Sequence, residues 1–215
     1  MEGLDTIIAT IVADWAHKSA LRDLTVTRSR DLIRFCANSI RATHRHEYEL
    51  AAQLLQQARA AADQACADAR PYADVYYGGF LQDALKEVVE AAVVLACATS
   101  KEIPSPEALG IDYAAYLNGL GEAVGEMRRL ALDSLRRDDL TEAERLMGLM
   151  DEVYGQLITI DFPDGMTGGL RRTTDMVRGV VEKTRGDLTT AVRQEKLQAA
   201  LQELEDRLNQ QETGA

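Results

Sequence analysis

The sequence contains little of what builds disulfide-rich or sheet-rich proteins. Its 215 residues include only three cysteines, four prolines and 5% aromatic residues. Because the cysteines are odd in number and far apart, we interpret Cys36, Cys66 and Cys97 as reduced packing residues. Scarce proline and aromatic residues, beside abundant alanine, leucine and glutamate, favour helix over sheet. We therefore predict an all-α fold.

The sequence also lacks an excess of basic residues. Its formal net charge of −11 argues against a protein that coats nucleic acid or anionic membrane with its whole surface, but leaves room for a local basic patch. The apolar run near the N-terminus has no basic residues before it and is interrupted by Asp5 and Asp14. It is therefore neither a signal peptide nor a membrane span. We expect a cytoplasmic protein that does not contact membranes.

The sequence lacks two motifs, one for a di-iron site and one for a phosphate-binding loop. A di-iron helical bundle needs Glu-x-x-His, and none of His17, His44 and His46 follows a glutamate by three residues. The glycine-rich segment DFPDGMTGG, residues 161–169, is not followed by Gly-Lys-Ser/Thr. It therefore predicts a turn rather than a phosphate-binding loop.

Apolar residues at helical spacing predict a long helical first half that ends near Arg70. The pattern fits either one very long helix or two helices in near-continuous alignment. Ser105 is placed to cap a short helix that begins at Pro106. Since no stretch has the composition of a flexible linker, residues 1–215 are predicted to form a single domain.

The second half carries a helix start signal and a leucine repeat. Thr141 and Glu144 match a capping box, which predicts a helix over about 143–158. The final helix ends in leucines at heptad spacing, namely Leu197, Leu201, Leu204 and Leu208. That spacing predicts packing against a neighbouring helix or another subunit.

Two pairs of glutamates are spaced to share helix faces. Glu87 and Glu90 lie three residues apart in DALKEVVE, and Glu122 and Glu126 lie four apart in EAVGE. Four carboxylates on two helices form a donor set for a hard cation. A solvated acidic face is the alternative. Because apolar residues 91–96 follow the first pair, a carboxylate there needs a cation or a hydrogen-bond donor.

Basic residues that could contact phosphates occur in two places. The first half contains the arginines at spacings of four and seven, namely Arg30, Arg34, Arg41 and Arg45. They could lie along one side of a helix and bind RNA, and a solvated face paired with nearby acids is the alternative. Arg128 and Arg129 follow the second acidic pair and are further candidates. Since Arg129 lies three residues after Glu126, an intrahelical ion pair is the simpler interpretation for it.

Three stretches together resemble the translin and Trax (translin-associated factor X) family. They are RPYADVYYGGFLQDALKEVVEAAVVLACATSKEIPSPEALGI at 70–111, DYAAYLNGLGEAVGEMRRLALDSLRRDDL at 112–140, and GLRRTTDMVRGVVEKTRGDL at 169–188. The resemblance implies a bundle of about seven helices that assembles into a closed, hollow oligomer, commonly an octamer. It also implies binding of single-stranded nucleic acid, especially RNA.

The acidic pairs decide which branch of the family the sequence is similar to. Trax-type subunits carry both pairs and act as Mg²⁺-dependent endoribonucleases, whereas translin-type subunits have apolar residues at the first pair. The resemblance therefore implies a Trax-like, prokaryotic or archaeal-type homologue in which Glu87, Glu90, Glu122 and Glu126 are metal ligands and catalytic residues. Mn²⁺ is the expected substitute for Mg²⁺.

We therefore predict hydrolysis of single-stranded RNA inside a homo-oligomer, whose enclosure would exclude double-stranded RNA. One glutamate, Glu126 or Glu90, would act as general base. A translin-type paralogue is a candidate further subunit. The alternative is a non-catalytic, translin-like binder of single-stranded RNA or DNA. Acid-to-alanine variants that lose RNA cutting and keep RNA retention would distinguish the two.

Overall fold

The computed structural model describes residues 2–213, and every regular element in that range is an α-helix. The prediction of an all-α fold is confirmed. The helices are α1 (Glu2–His44), α2 (Tyr48–Ala69), α3 (Ala73–Tyr76), α4 (Gly79–Ala98), α5 (Pro106–Leu109), α6 (Tyr113–Leu135), α7 (Leu140–Leu157), α8 (Asp164–Thr167) and α9 (Leu170–Thr213). None of these helices is long and apolar enough to cross a membrane.

Helices α1 and α2 form an antiparallel hairpin. The turn between them contains His46 in a left-handed conformation, with φ of 61°. Near the turn, the Ser39 hydroxyl donates a hydrogen bond to the Ala51 carbonyl at 2.8 Å, and farther from it Arg28 pairs with Asp68. The sequence predicted one very long helix or two helices in near-continuous alignment. Both alternatives are wrong, because the chain turns back at residues 45–47 and the two helices run antiparallel.

The chain divides into two compact units. The first comprises the residues up to Ala123 together with Asp161–Thr173, and the second comprises Val124–Ile160 together with the chain from Thr174 onward. That the whole chain forms a single domain stays a prediction.

Helix α4 lies at the centre of the first unit. It contacts both α1 and α2. Its large side chains with at most 1% exposure are Leu81, Leu85, Val88, Val89, Val93 and Val94. Each such side chain contributes about 1.5–3 kcal/mol on burial. The face of α2 that is buried in this unit consists of alanines, which allow the helices to approach closely. This packing fixes α4 and therefore the glutamates that it carries.

Capping side chains set the starts of two helices. Ser105 accepts a hydrogen bond from the Ala108 amide at 3.2 Å, and α5 begins at Pro106 as predicted. Helix α7 begins at Leu140, because the Asp139 side chain accepts from the Glu142 amide at 3.0 Å.

The predicted capping box of α7 is wrong. Thr141 and Glu144 lie inside the helix, which begins three residues before the predicted start at residue 143. The competing signal was Asp139, a residue type that caps helices at least as well as threonine.

Exposed apolar side chains lie near both ends of the described chain. On α1 the N-terminal stripe, with each side chain 40–68% exposed, consists of Leu4, Ile7, Ile8, Ile11, Val12 and Trp15. On α9 the C-terminal stripe, 51–61% exposed, consists of Leu197, Leu201, Leu204 and Leu208. Contiguous apolar surfaces of this kind mark places where another surface binds.

Candidate metal centre

Three glutamates from two helices come together in the first unit. Glu87 and Glu90 lie one turn apart on α4, and Glu122 faces them from α6. One carboxylate oxygen of each lies within 4.8 Å of the others, and all three residues are half-buried. The structure thus brings together three of the four ligands predicted from the sequence.

Glu126, the fourth predicted ligand, lies one turn after Glu122 on α6. Its carboxylate lies 3.7 Å from Nη1 of Arg129, which is the intrahelical ion pair expected from their spacing. The clustered carboxylates are those of the other three glutamates. A metal-binding role for Glu126 therefore stays a prediction.

Lys86 places a positive charge at the cluster. Its Nζ atom lies 2.9 Å from Oε1 of Glu122 and 3.4 Å from Oδ1 of Asp83. Burial lowers the pKa of Lys86, but the hydrogen bond and charge of Glu122 outweigh burial and raise this pKa above its ordinary value. The lysine is therefore protonated and offsets one of the carboxylate charges. Sequence reasoning missed Lys86, although a lysine within the acidic segment DALKEVVE was a signal.

The ionised form of Glu87 is disfavoured at this site. Burial and then the charge of Glu122 raise the pKa of Glu87 above its ordinary value of 4.5, against the opposing effect of Lys86. Behind the cluster, burial and then the charges of Glu87 and Glu90 raise the pKa of the Cys36 thiol to about 12. A cation bound beside the glutamates would stabilise the ionised form of Glu87.

Replacing Glu87 by glutamine should change how stability depends on pH. The folded-state pKa of Glu87 is raised, so its contribution to stability is fully present below the ordinary value of 4.5 and is lost as pH rises through the folded-state pKa. Urea unfolding without divalent ions should therefore show Glu87→Gln gaining stability relative to the wild type as pH rises above 4.5. The same experiment on Glu144→Gln, at an exposed position on α7, is the control for loss of a carboxylate away from the cluster. A constant difference for Glu87→Gln would contradict the electrostatic account.

Gly119 allows α4 and α6 to approach each other at the site. A Cβ atom on Gly119 would lie 2.5 Å from the Lys86 carbonyl oxygen and 2.7 Å from the Val89 Cβ. Because Glu122 is one turn after Gly119, this approach brings its carboxylate against Lys86 and Glu87. Sequence reasoning missed this residue as well. A glycine inside a helical pattern, where it costs about 1 kcal/mol relative to alanine, was the signal.

The four predicted RNA-binding arginines of the first half are all exposed, namely Arg30, Arg34, Arg41 and Arg45. Two of them pair with acids, Arg34 with Asp31 at 3.0 Å and Arg45 with Glu47 at 2.7 Å. These pairs agree with the solvated-face alternative. Exposed ion pairs contribute only about 0–1 kcal/mol, so the same guanidinium groups can exchange a carboxylate for a phosphate.

Arg128, another predicted phosphate contact, has partners within the second unit. Its guanidinium donates to the Thr184 hydroxyl at 3.0 Å and to the Asp187 carboxylate at 2.7 Å. The side chain is only 17% exposed. These contacts tie α6 to α9, and a phosphate contact by Arg128 or Arg129 stays a prediction.

Comparisons with known proteins relate the chain to a family. No protein-family model matches the sequence. The sequence is 30% identical over 199 residues to the uncharacterized protein MJ0175 of Methanocaldococcus jannaschii, an alignment that covers 91% of this chain and 87% of that protein.

The same fold occurs in solved structures. AfC3PO in complex with duplex RNA matches with a TM-score of 0.77 and 31% identity, over 86% of this chain and 95% of the AfC3PO chain. Another AfC3PO structure matches with the same TM-score and identity over 96% of its chain. Apo-NeC3PO, at 22% identity and a TM-score of 0.78, covers 86% of this chain and 96% of its own and shares the fold. The chain belongs to the translin/Trax-like family.

Proposed function

We propose that the chain is a Mg²⁺-dependent endoribonuclease that hydrolyses phosphodiester bonds in single-stranded RNA and works as a homo-oligomer. The observation that carries this proposal is the cluster of three half-buried carboxylates within 4.8 Å of one another, in a member of the translin/Trax-like family. RNA as the ligand is supported by AfC3PO, which is 31% identical to this chain and was solved with duplex RNA.

The donor set fits a hard divalent cation. All donors of the cluster are carboxylate oxygens, which suit Mg²⁺ and Mn²⁺ rather than soft metals. Glu87, Glu90 and Glu122 would hold the ion, with Glu126 as a fourth ligand. When bound, Mg²⁺ makes water a better nucleophile at neutral pH and neutralises charge that develops on the phosphoryl oxygens.

The residues of the chain divide proton transfer and charge stabilisation between them. One glutamate, Glu90 or Glu126, accepts the proton of the attacking water. Lys86, protonated beside Glu122, offers an N–H donor to a phosphate oxygen. The proposed reaction thus uses charges of both signs. The glutamates provide the negative charge and Lys86 provides the positive charge.

Self-association is supported by the N-terminal and C-terminal stripes. Each presents several large apolar side chains to solvent in the described chain. A second copy of the chain is the occupant that we propose for them, in an oligomer that the family resemblance implies to be an octamer. A translin-type paralogue would be an additional subunit. Analytical ultracentrifugation of the purified protein measures the number of copies.

The decisive experiment is cleavage of end-labelled RNA by the purified protein. A single strand and a matched duplex are incubated with Mg²⁺, with Mn²⁺ or with EDTA. Cutting of the single strand that depends on the divalent ion supports the proposal. The duplex is included because AfC3PO was solved with one, and equal cutting of the duplex would remove the single-strand preference.

A non-catalytic RNA-binding oligomer is the second candidate. The observation that favours it is Lys86, whose ammonium group already occupies a cation's place beside Glu122 at 2.9 Å. An intact oligomer that retains RNA but does not cut it with either metal would establish this function instead.

The exposed arginines of the first half should contribute to RNA binding. We expect the variant in which Arg30, Arg34, Arg41 and Arg45 are all alanine to bind single-stranded RNA at least about tenfold more weakly at low salt. The slope of log affinity against log salt should fall by about 0.7 for each phosphate that the variant no longer neutralises. Fluorescence anisotropy over a salt series measures both. Arg136→Ala, at an 82% exposed side chain on the turn after α6, is the control, and an unchanged slope in the fourfold variant would refute the role of these arginines.

A further inference from the structure

A cavity of about 380 Å³ opens beside the glutamate cluster within the first unit. It is bounded by residues before and within α4, by the start of α6 and by the turn around α8. Its volume lies in the range of about 300–1,000 Å³ typical of small-ligand sites. Of the residues to which we assign RNA cleavage, Lys86 alone lines it.

Lys86 connects the cavity to the cluster. The residue lines the cavity, and its Nζ atom lies 2.9 Å from Oε1 of Glu122. A ligand that contacts the glutamates and also enters the cavity must therefore pass over Lys86. An RNA strand with one phosphate at the carboxylates would place an adjoining nucleoside at the cavity.

The mouth of the cavity offers an aromatic surface. Tyr77 lines the cavity and is 66% exposed. A large, partly apolar ring is more often buried than this. Tyr77 meets the buried Tyr76 edge to face, with ring centroids 4.9 Å apart, and this contact orients the exposed ring. Met166, 68% exposed, lines the same cavity. Exposed rings of this kind are where proteins stack unpaired bases.

Two carboxylates in the lining indicate which part of a nucleotide fits. Asp83 and Asp112 line the cavity with Lys86, so acids outnumber bases among its charged residues. Carboxylates repel a phosphate, whereas they accept hydrogen bonds from hydroxyl groups. Asp83 is also the acid that shares Lys86 with Glu122, at 3.4 Å from Nζ. The lining therefore suits a ribose and its base rather than a phosphate.

One wall of the cavity is held in place by Asn118. Its side-chain amide donates to the Thr167 and Ala114 carbonyls, both at 2.8 Å, and its oxygen accepts from the Thr173 hydroxyl at 2.6 Å. These bonds anchor the turn that follows α8, where Gly168 adopts φ of 62°. A wall fixed in this way keeps the cavity formed without a ligand, which lowers the ordering cost of binding.

We propose that this cavity is a ribonucleoside subsite in which Tyr77 stacks on the base next to the scissile phosphate and Asp83 accepts a hydrogen bond from the ribose 2′-hydroxyl. The proposal rests on the proposed function in one respect, the assignment of the neighbouring phosphate to the glutamates. It adds a residue that senses the base and a residue that distinguishes RNA from DNA.

The test measures equilibrium binding of a short single-stranded RNA, and of the DNA of the same sequence, in EDTA. Tyr77→Ala should weaken RNA binding by about tenfold. Tyr77→Phe should bind as the wild type does. Tyr113→Ala is the matched control, since Tyr113 is 69% exposed in the same unit but does not line the cavity. Asp83→Asn should reduce the preference for RNA over DNA, and an equal effect on both nucleic acids would overturn its role.

Photo-crosslinking of RNA containing 4-thiouridine locates the base directly. Attachment to the peptides that contain Tyr77 or Met166 supports the subsite, and attachment only elsewhere overturns it. Because these assays need neither metal nor cutting, the two proposals fail separately. If the protein cuts RNA but the Tyr77→Ala and Asp83→Asn variants bind RNA as the wild type does, then the nuclease proposal stands and the subsite proposal is refuted. If the protein does not cut RNA but the two variants change its binding as expected, then the nuclease proposal is refuted and the subsite proposal stands.

Discussion

Changing both Glu87 and Glu122 to glutamine is expected to reduce Mg²⁺-dependent RNA cleavage by about a thousandfold or more. Glutamine keeps the shape of the side chain and removes its charge, so the cluster of three carboxylates becomes one. A bound divalent ion contributes several kcal/mol of transition-state stabilisation, and each loss of about 1.4 kcal/mol is tenfold in rate. Single-turnover cleavage of labelled single-stranded RNA at saturating Mg²⁺ measures the loss.

Three controls give this result its meaning. Glu144→Gln, at an exposed position on α7, should cut RNA at the wild-type rate. Calorimetry should show Mg²⁺ binding in the wild type and none in the double variant, and both should sediment as the same oligomer. If the double variant is correctly assembled and still cuts at more than about a tenth of the wild-type rate, then the cluster is not the catalytic centre.

Gly119→Ala is expected to lower the free energy of unfolding by about 3 kcal/mol. The new Cβ atom would lie 2.5 Å from the carbonyl oxygen of Lys86, which belongs to the backbone of α4 and cannot rotate away. Relief requires α4 and α6 to move apart, which also separates Glu122 from Glu87. Urea denaturation measures the stability, and Mg²⁺ titration of the folded variant should show weaker binding.

The matched control is Gly125→Ala, on the same helix. A Cβ atom at Gly125 has no neighbour within 4 Å. Alanine is more favourable than glycine in a helix by about 0.5–1 kcal/mol, so this variant should be more stable than the wild type. A loss of stability in Gly119→Ala and a gain in Gly125→Ala, six positions later, would show that the close approach of α4 and α6 causes the loss. Equal stability of both variants would rule it out.

The parts of the site that depend on neighbouring residues could be predicted from the sequence. A helix places residues three apart on one face, so Glu87 and Glu90 were certain to lie together once α4 was predicted. That Glu122 on α6 faces them is a tertiary contact. The spacing of the two acidic pairs suggested a shared cation site, with a solvated acidic face as the alternative, and the family resemblance favoured the shared site. Lys86 was missed because its role depends on a partner 36 residues away.

Local signals failed where packing or a stronger competitor decided the outcome. The turn between α1 and α2 contains no glycine or proline to mark it in the sequence. His46 takes the left-handed conformation there, and its amide donates to the Thr43 carbonyl at 2.9 Å. At α7 both Asp139 and Thr141 were suitable caps, and a local pattern could not rank them. Gly119 was visible, but its purpose depends on the α4 backbone, which the sequence does not position.

The chemistry of the two terminal stripes has a practical consequence for handling the protein. Apolar contacts strengthen in sulfate salts, whereas contacts between arginine and phosphate weaken as ionic strength rises. An assembly held through the N-terminal and C-terminal stripes should therefore survive ammonium sulfate that removes nucleic acid from it. Co-purifying cellular RNA can be washed away under those conditions and sequenced, and the emptied particle can then be supplied with defined strands.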